Sequence, residues 1–173
     1  TYRINGTLPK NFGDFDGYEY YFHDTLSKGL TYNSDTANLT VTVTLTKADG
    51  TKETYKIALA ADGDTAATGY QVSYHKVTAE DAAKAPLEDP RYTTENIGKT
   101  FIDVKFTDLK KLKGTLMPSG TEATGIPFNT AKSYDQGNVL FTVEYSVTVN
   151  SDAVIGSTGN PNEVYLEYSN DPN

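Results

Sequence analysis

The sequence predicts an all-β sandwich of antiparallel strands, and three observations predict it. Thirteen Tyr and seven Phe, together with abundant Thr and Val, are spread through short runs in which apolar and polar residues alternate, the period of a half-buried strand. The runs LTVTVTLTK at 39–47 and KETYKIAL at 52–59 flank Ala48-Asp49-Gly50-Thr51, where Asp-Gly supplies the positive φ of a tight hairpin turn. Only TAEDAAKA at 78–85 reads as helix, with Thr and acids in its first turn and Pro86 beyond its end.

Strands are expected at 2–8, 18–26, 39–47, 52–59, 70–76, 100–106, 139–149 and 163–169. Residues 77–99 and 113–138 are rich in Pro, Gly, Ser and Thr and read as long surface connections. Composition does not shift across them and no repeat is present. The 173 residues therefore read as a single domain, 1–173, elaborated by insertions, a size that one β core accommodates.

Composition excludes several functions. A formal charge of -8 argues against nucleic-acid or anionic-membrane partners, which need clustered cations. With no cysteine, disulfides and thiolate metal sites are out, so robustness must come from packing or from another covalent link. No apolar run approaches the ~20 residues that cross a bilayer, and residues 1–20 lack the apolar segment of a signal peptide. The opening Thr1-Tyr2-Arg3-Ile4 reads as the middle of a strand, as in a piece of a longer protein.

Strand phase turns two polar residues inward. In YEYYFHDTL, Tyr18, Tyr20, Phe22, Asp24 and Leu26 share one face, so Asp24 lies among aromatics. In EVYLEYSN, Val164, Leu166, Tyr168 and Asn170 do the same. One reading has Asp24 capping the turn at 25–29 and Asn170 closing an Asx turn in Ser-Asn-Asp-Pro. The other has a buried, protonated Asp24 donating a hydrogen bond to the Asn170 amide and polarising it towards a nucleophile.

The blocks TYRINGTLP, YEYYFHDTLSKGLTYN and VLFTVEYSVTVNSDAVIGSTGNPNEVYLEYSNDPN resemble the isopeptide-forming domain, of second-domain type, of Gram-positive fimbrial shaft proteins. The match covers both ends of the chain, and 152–172 is its most specific part. The resemblance implies an immunoglobulin-like β-sandwich in a pilus anchored to the bacterial cell wall, extracellular and concerned with cell adhesion. In that family a lysine amine attacks an asparagine side-chain amide with the help of a nearby acid, ammonia leaves, and two strands are stapled. By position, the resemblance assigns Asn170 as acceptor and Asp24 as assisting acid.

The family's lysine lies on a strand ahead of the one corresponding to TYRI, and the sequence opens after that point. The lysine strand is therefore expected either to have been lost or to come in trans. Lys10, the lysine nearest the first strand, follows Pro9 in a turn and fits poorly. Glu144, an acid of the kind related domains use, falls in phase with Thr142 and Thr148, away from the apolar face.

Implied partners are neighbouring pilin subunits or domains, a lysine-bearing strand, and a host surface ligand. A glycan- or protein-binding adhesin using Tyr92, Phe128 and Tyr134 in the long connections is the alternative function. The resemblance implies no cofactor, no metal and no turnover enzyme. Asp62-Gly63-Asp64 and Asp14-Phe15-Asp16-Gly17 read as Asp-Gly turns, lacking the acidic spacing of a calcium loop. His23 and His75, with no nucleophile beside them in sequence, make no case for a triad. Lys110-Lys111-Leu112-Lys113 reads as a solvated edge that discourages pairing.

Overall fold

The computed structural model describes residues 1–9, 11–61, 63–124, 134–153 and 162–169. Its strands are β1 (Tyr2–Thr7), β2 (Tyr20–Leu26), β3 (Leu30–Tyr32), β4 (Thr40–Lys47), β5 (Lys52–Ile57), β6 (Gln71–Lys76), β7 (Thr100–Phe106), β8 (Lys113–Met117), β9 (Thr121–Thr124), β10 (Tyr134–Tyr145), β11 (Val147–Val149) and β12 (Asn162–Tyr168). One short helix, α1 (Ala79–Ala83), interrupts them. A six-stranded sheet runs β1-β10-β4-β5-β8-β9, a four-stranded sheet runs β12-β2-β7-β6, and β11 pairs with β3. All of these pairings are antiparallel. Among the described residues no helix is long and apolar enough to cross a membrane.

The two larger sheets pack face to face. Tyr20 and Phe106 of the smaller meet Phe141 of the larger at ring distances of 5.2 and 5.5 Å. Val41, Val43, Leu45 and Val143 fill the same buried cluster. The alternation read from the sequence drives this, because the even residues of β2 and the odd residues of β4 and β10 are the buried ones. Where β1 crosses this layer only glycine fits: a Cβ at Gly6 would run into the Tyr20 hydroxyl and stand 2.9 Å from Phe22 Cζ. The Tyr20 hydroxyl instead donates to the Thr7 carbonyl at 2.7 Å.

The β4–β5 hairpin forms as expected. Gly50 has φ +86°, its N–H donates to the Lys47 carbonyl at 2.9 Å, and the Thr51 N–H donates to Asp49 Oδ1 at 2.9 Å. Helix α1 opens with a reciprocal capping box between Thr78 and Asp81.

Three expectations need correction. The run 139–149 is not one strand: it breaks at Ser146, with β10 in the large sheet and β11 turning away to β3. Asn38 makes the break possible by serving both backbone groups of Ser146, accepting from its N–H at 2.9 Å and donating to its carbonyl at 2.9 Å. Residues 113–138 are not wholly a connection either, since 113–117 and 121–124 form the β8–β9 hairpin and β10 begins at Tyr134. Their Pro, Ser and Gly mark the turn, where Gly120 has φ +82°. Finally, the basic run is not a free edge. Leu109–Lys111 is a 3₁₀ turn, Leu112 is fully buried, Lys110 lies over the Phe12 ring at 3.8 Å, and β8 sits between β5 and β9.

Candidate functional site: a buried carboxyl beside an open sheet edge

Asp24 sits on β2 between Ile102 of β7 and Val164 of β12. Its flanking in-phase neighbours Phe22 and Leu26 are buried, and Asp24 itself is only 2% exposed. A carboxylate in such a place has lost its hydration, so burial pushes its pKa up to about 7. The Asn162 side chain and the Thr25 backbone N–H temper that rise. Neither contact reaches full hydrogen-bond geometry, and both carboxyl oxygens lack a partner among the described residues. No lysine or arginine appears among the groups that shift Asp24. Tyr2 does feel it: burial first, then the Asp24 charge, raise the Tyr2 hydroxyl.

Asn162 is the amide that the structure brings to this acid, and the sequence reading missed it. It opens β12 opposite Leu26, two residues before Val164 and therefore on the same inward face. Its Oδ1 is buried without a partner among the described residues. The signal was present, because the alternation of Val164, Leu166 and Tyr168 extends back by one step to 162. Asn170, the acceptor assigned by resemblance, lies outside the described residues, as does Lys10. Glu144 points outward as expected, with its carboxylate 3.1 Å from Arg3.

β12 ends its sheet, and among the described residues it pairs with β2 alone. Val164 and Tyr168 share the inward phase of Asp24 and Tyr20, yet are 45% and 51% exposed. The site is thus a buried carboxyl and a buried amide carbonyl under a strand whose outer side no described strand pairs with and whose Val164 and Tyr168 are about half exposed.

No protein-family model matches the chain, and no curated protein matches it.

The histidines are engaged elsewhere, each with carboxylates. On the outer face of the small sheet His23 Nδ1 lies 2.7 Å from Asp103 and Nε2 lies 3.2 Å from Glu167. Arg91 reaches in from the 77–99 connection, donating two bonds of 2.8 Å to Asp103 and closing on Asp89 at 2.9 Å. Burial alone would raise Asp103, but the Arg91 and His23 hydrogen bonds outweigh it and hold the carboxyl low. His75 lies 2.7 Å from Asp81. Its hydrogen bond, followed by that of the Thr78 amide, brings the Asp81 carboxyl down to about 2. The Tyr92 ring lies 4.6 Å from that of His75, tilted by 31°. Phe128 lies outside the described residues, and Tyr134 starts β10 opposite Lys47. Among the described residues no three His, Asp or Glu side chains converge on a metal position.

Proposed function

We propose that this chain is a structural module of a bacterial surface fibre, an immunoglobulin-like domain of the isopeptide-forming kind that it resembles, displayed outside the cell. The observation that carries the reading is Asp24: a carboxyl held near neutrality by burial, beside a buried asparagine amide, beneath an open edge. A module without cysteine draws its robustness from packing or from another covalent link, and this arrangement suits the latter. With the acid protonated and the isosteric Asn162 amide turned over, the Asp24 O–H donates to Oδ1, pairing two orphaned atoms and polarising the carbonyl. A lysine on a strand laid along β12 would lose hydration in the same pocket and be pushed towards its neutral, nucleophilic form. Its Nζ bonds to Cγ and the Cγ–Nδ2 bond breaks. Asp24 passes the amine's proton to the departing nitrogen, which leaves as ammonia. The carboxyl ends as it began.

Geometry favours Asn162 as acceptor, and resemblance favours Asn170. Mixing the protein with a peptide of the family's lysine strand distinguishes them. The expected result is an adduct that survives denaturing electrophoresis, is one ammonia lighter than the sum of its parts, and disappears in Asp24→Ala and Asn162→Ala. An adduct lost in Asn170→Ala and retained in Asn162→Ala would move the acceptor to Asn170. An adduct forming at an unchanged rate in Asp24→Ala, or bound peptide with no adduct, would overturn the reading.

A further inference from the structure

A second candidate site lies away from Asp24. A cleft of about 310 Å³ opens where the loop at 33–38 and residues 59–61 and 63 meet the start of β6. Tyr32 and Tyr74 stand in it with ring centroids 5.0 Å apart and planes at 49°. Tyr32 is braced from behind by Tyr145 at 5.6 Å, so this wall is in place before any ligand arrives. Leu59 and Tyr74 are 41% and 50% exposed, so their apolar surface is open to a ligand. Ser34, Asp35, Thr36 and Gln71 supply polar lining. Asp35 Oδ1 accepts from the Ala37 N–H at 3.0 Å, and Asp35 makes no ion pair among the described residues.

The lining selects a ligand class. Among the described residues it contains no Lys, Arg or His, and the chain carries a net charge of -8, so an anion would meet no cation there. Ser, Gln and Tyr both donate and accept, while Asp35 accepts. Mixed capacity of that kind matches hydroxyl groups, which do both, better than an ammonium, which only donates. The tilted rings and the leucine form an apolar wall against which the C–H face of a sugar ring can pack. The volume is at the small end for ligand sites, enough for one ring.

We propose that this cleft binds a neutral pyranose, the terminal sugar of a glycan, through Tyr32, Tyr74 and Leu59 against its face and Asp35 and Gln71 against its hydroxyls. The site is independent of the covalent chemistry at Asp24. An amide-resolved NMR titration tests it, with methyl glucoside, galactoside, mannoside and N-acetylglucosaminide as probes, and with N-acetylneuraminic acid and tetramethylammonium as charged controls. At least one neutral sugar should shift the amides of Asp35, Gln71 and Tyr74 with Kd on the order of 1 mM. Tyr74→Ala, at a half-exposed position, should weaken binding about tenfold, with unshifted amides remote from the cleft showing that the fold is kept. Asp35→Asn keeps the turn to Ala37 and should weaken it about fivefold. The proposal fails if no neutral sugar shifts these amides, if a charged control shifts them more, or if Tyr74→Ala binds like the parent.

Discussion

Replacing Asp24 with Asn converts a titrating buried carboxyl into an amide of the same shape that carries no charge. The folded-state pKa is about 7, against 3.8 in the unfolded chain. Between those values the unfolded chain has released the proton and the folded chain keeps it, so the parent protein loses stability as pH rises. A gap of about three units at about 1.4 kcal/mol each amounts to roughly 4 kcal/mol. The loss is complete above the folded value and absent below about pH 4. Urea unfolding of both proteins at several pH values from about 4 to about 8 reads it directly. The stability difference between variant and parent should be nearly constant at the acid end and then grow in the variant's favour by about 4 kcal/mol, equivalent to about 8–16 °C in Tm for a chain of this size. Other carboxylates titrate in both proteins and cancel. A difference that stays flat across the range would refute the claim that Asp24 is buried and uncompensated.

Two further substitutions test the frame around the site. Gly6→Ala places a methyl group against the buried Tyr20 and Phe22 rings and should lower stability by about 2 kcal/mol; thermal unfolding with no fall in Tm would show that β1 can shift away. Arg91→Lys keeps the charge but loses the fork that holds Asp89 and Asp103 together. It should cost about 2 kcal/mol and speed hydrogen exchange in the 88–98 segment, whereas unchanged exchange would mean that the connection is held by other contacts.

Most strands were legible because the signal is local. Each of the eight expected strands overlaps an observed one, since alternation and turn residues act within a few positions. What escaped were features set by distant partners. The switch at Ser146 depends on Asn38, more than a hundred residues away, and nothing in VEYSVTV itself announces it. The β8–β9 hairpin is short, and its Lys-rich entry and Pro-Ser-Gly turn resemble a loop until β5 is there to pair with it. The histidines likewise acquire their carboxylates only through register: Asp103 comes to His23 directly across β2 and β7, and Asp81 comes to His75 through a helix cap.

The site shows the same division between what phase decides and what register decides. Phase alone turned Asp24 inward, because two-residue periodicity needs no partner strand. Which amide meets the acid is a matter of register, and a strand can slide by two residues without changing the face it presents. Asn162 and Asn170 share a phase, so the sequence could not choose between them. The observed pairing of Val164 with Asp24 puts 162 one inward step from the acid. That register is itself held from outside the site: Glu167 reaches His23 across the outer face, and Tyr18 and Tyr168 stack at 6.5 Å with planes 5° apart. The edge strand is therefore anchored along one side and one end while its inward Val164 and Tyr168 stay about half exposed. A strand arriving to cover Val164 and Tyr168 would gain apolar contact and backbone pairing, and would enclose Asp24 and Asn162 in the same movement. On the proposed reading the staple and the closing of the edge would be one event, and the carboxyl whose burial weakens the open fold at neutral pH would be the group that makes the closed one permanent.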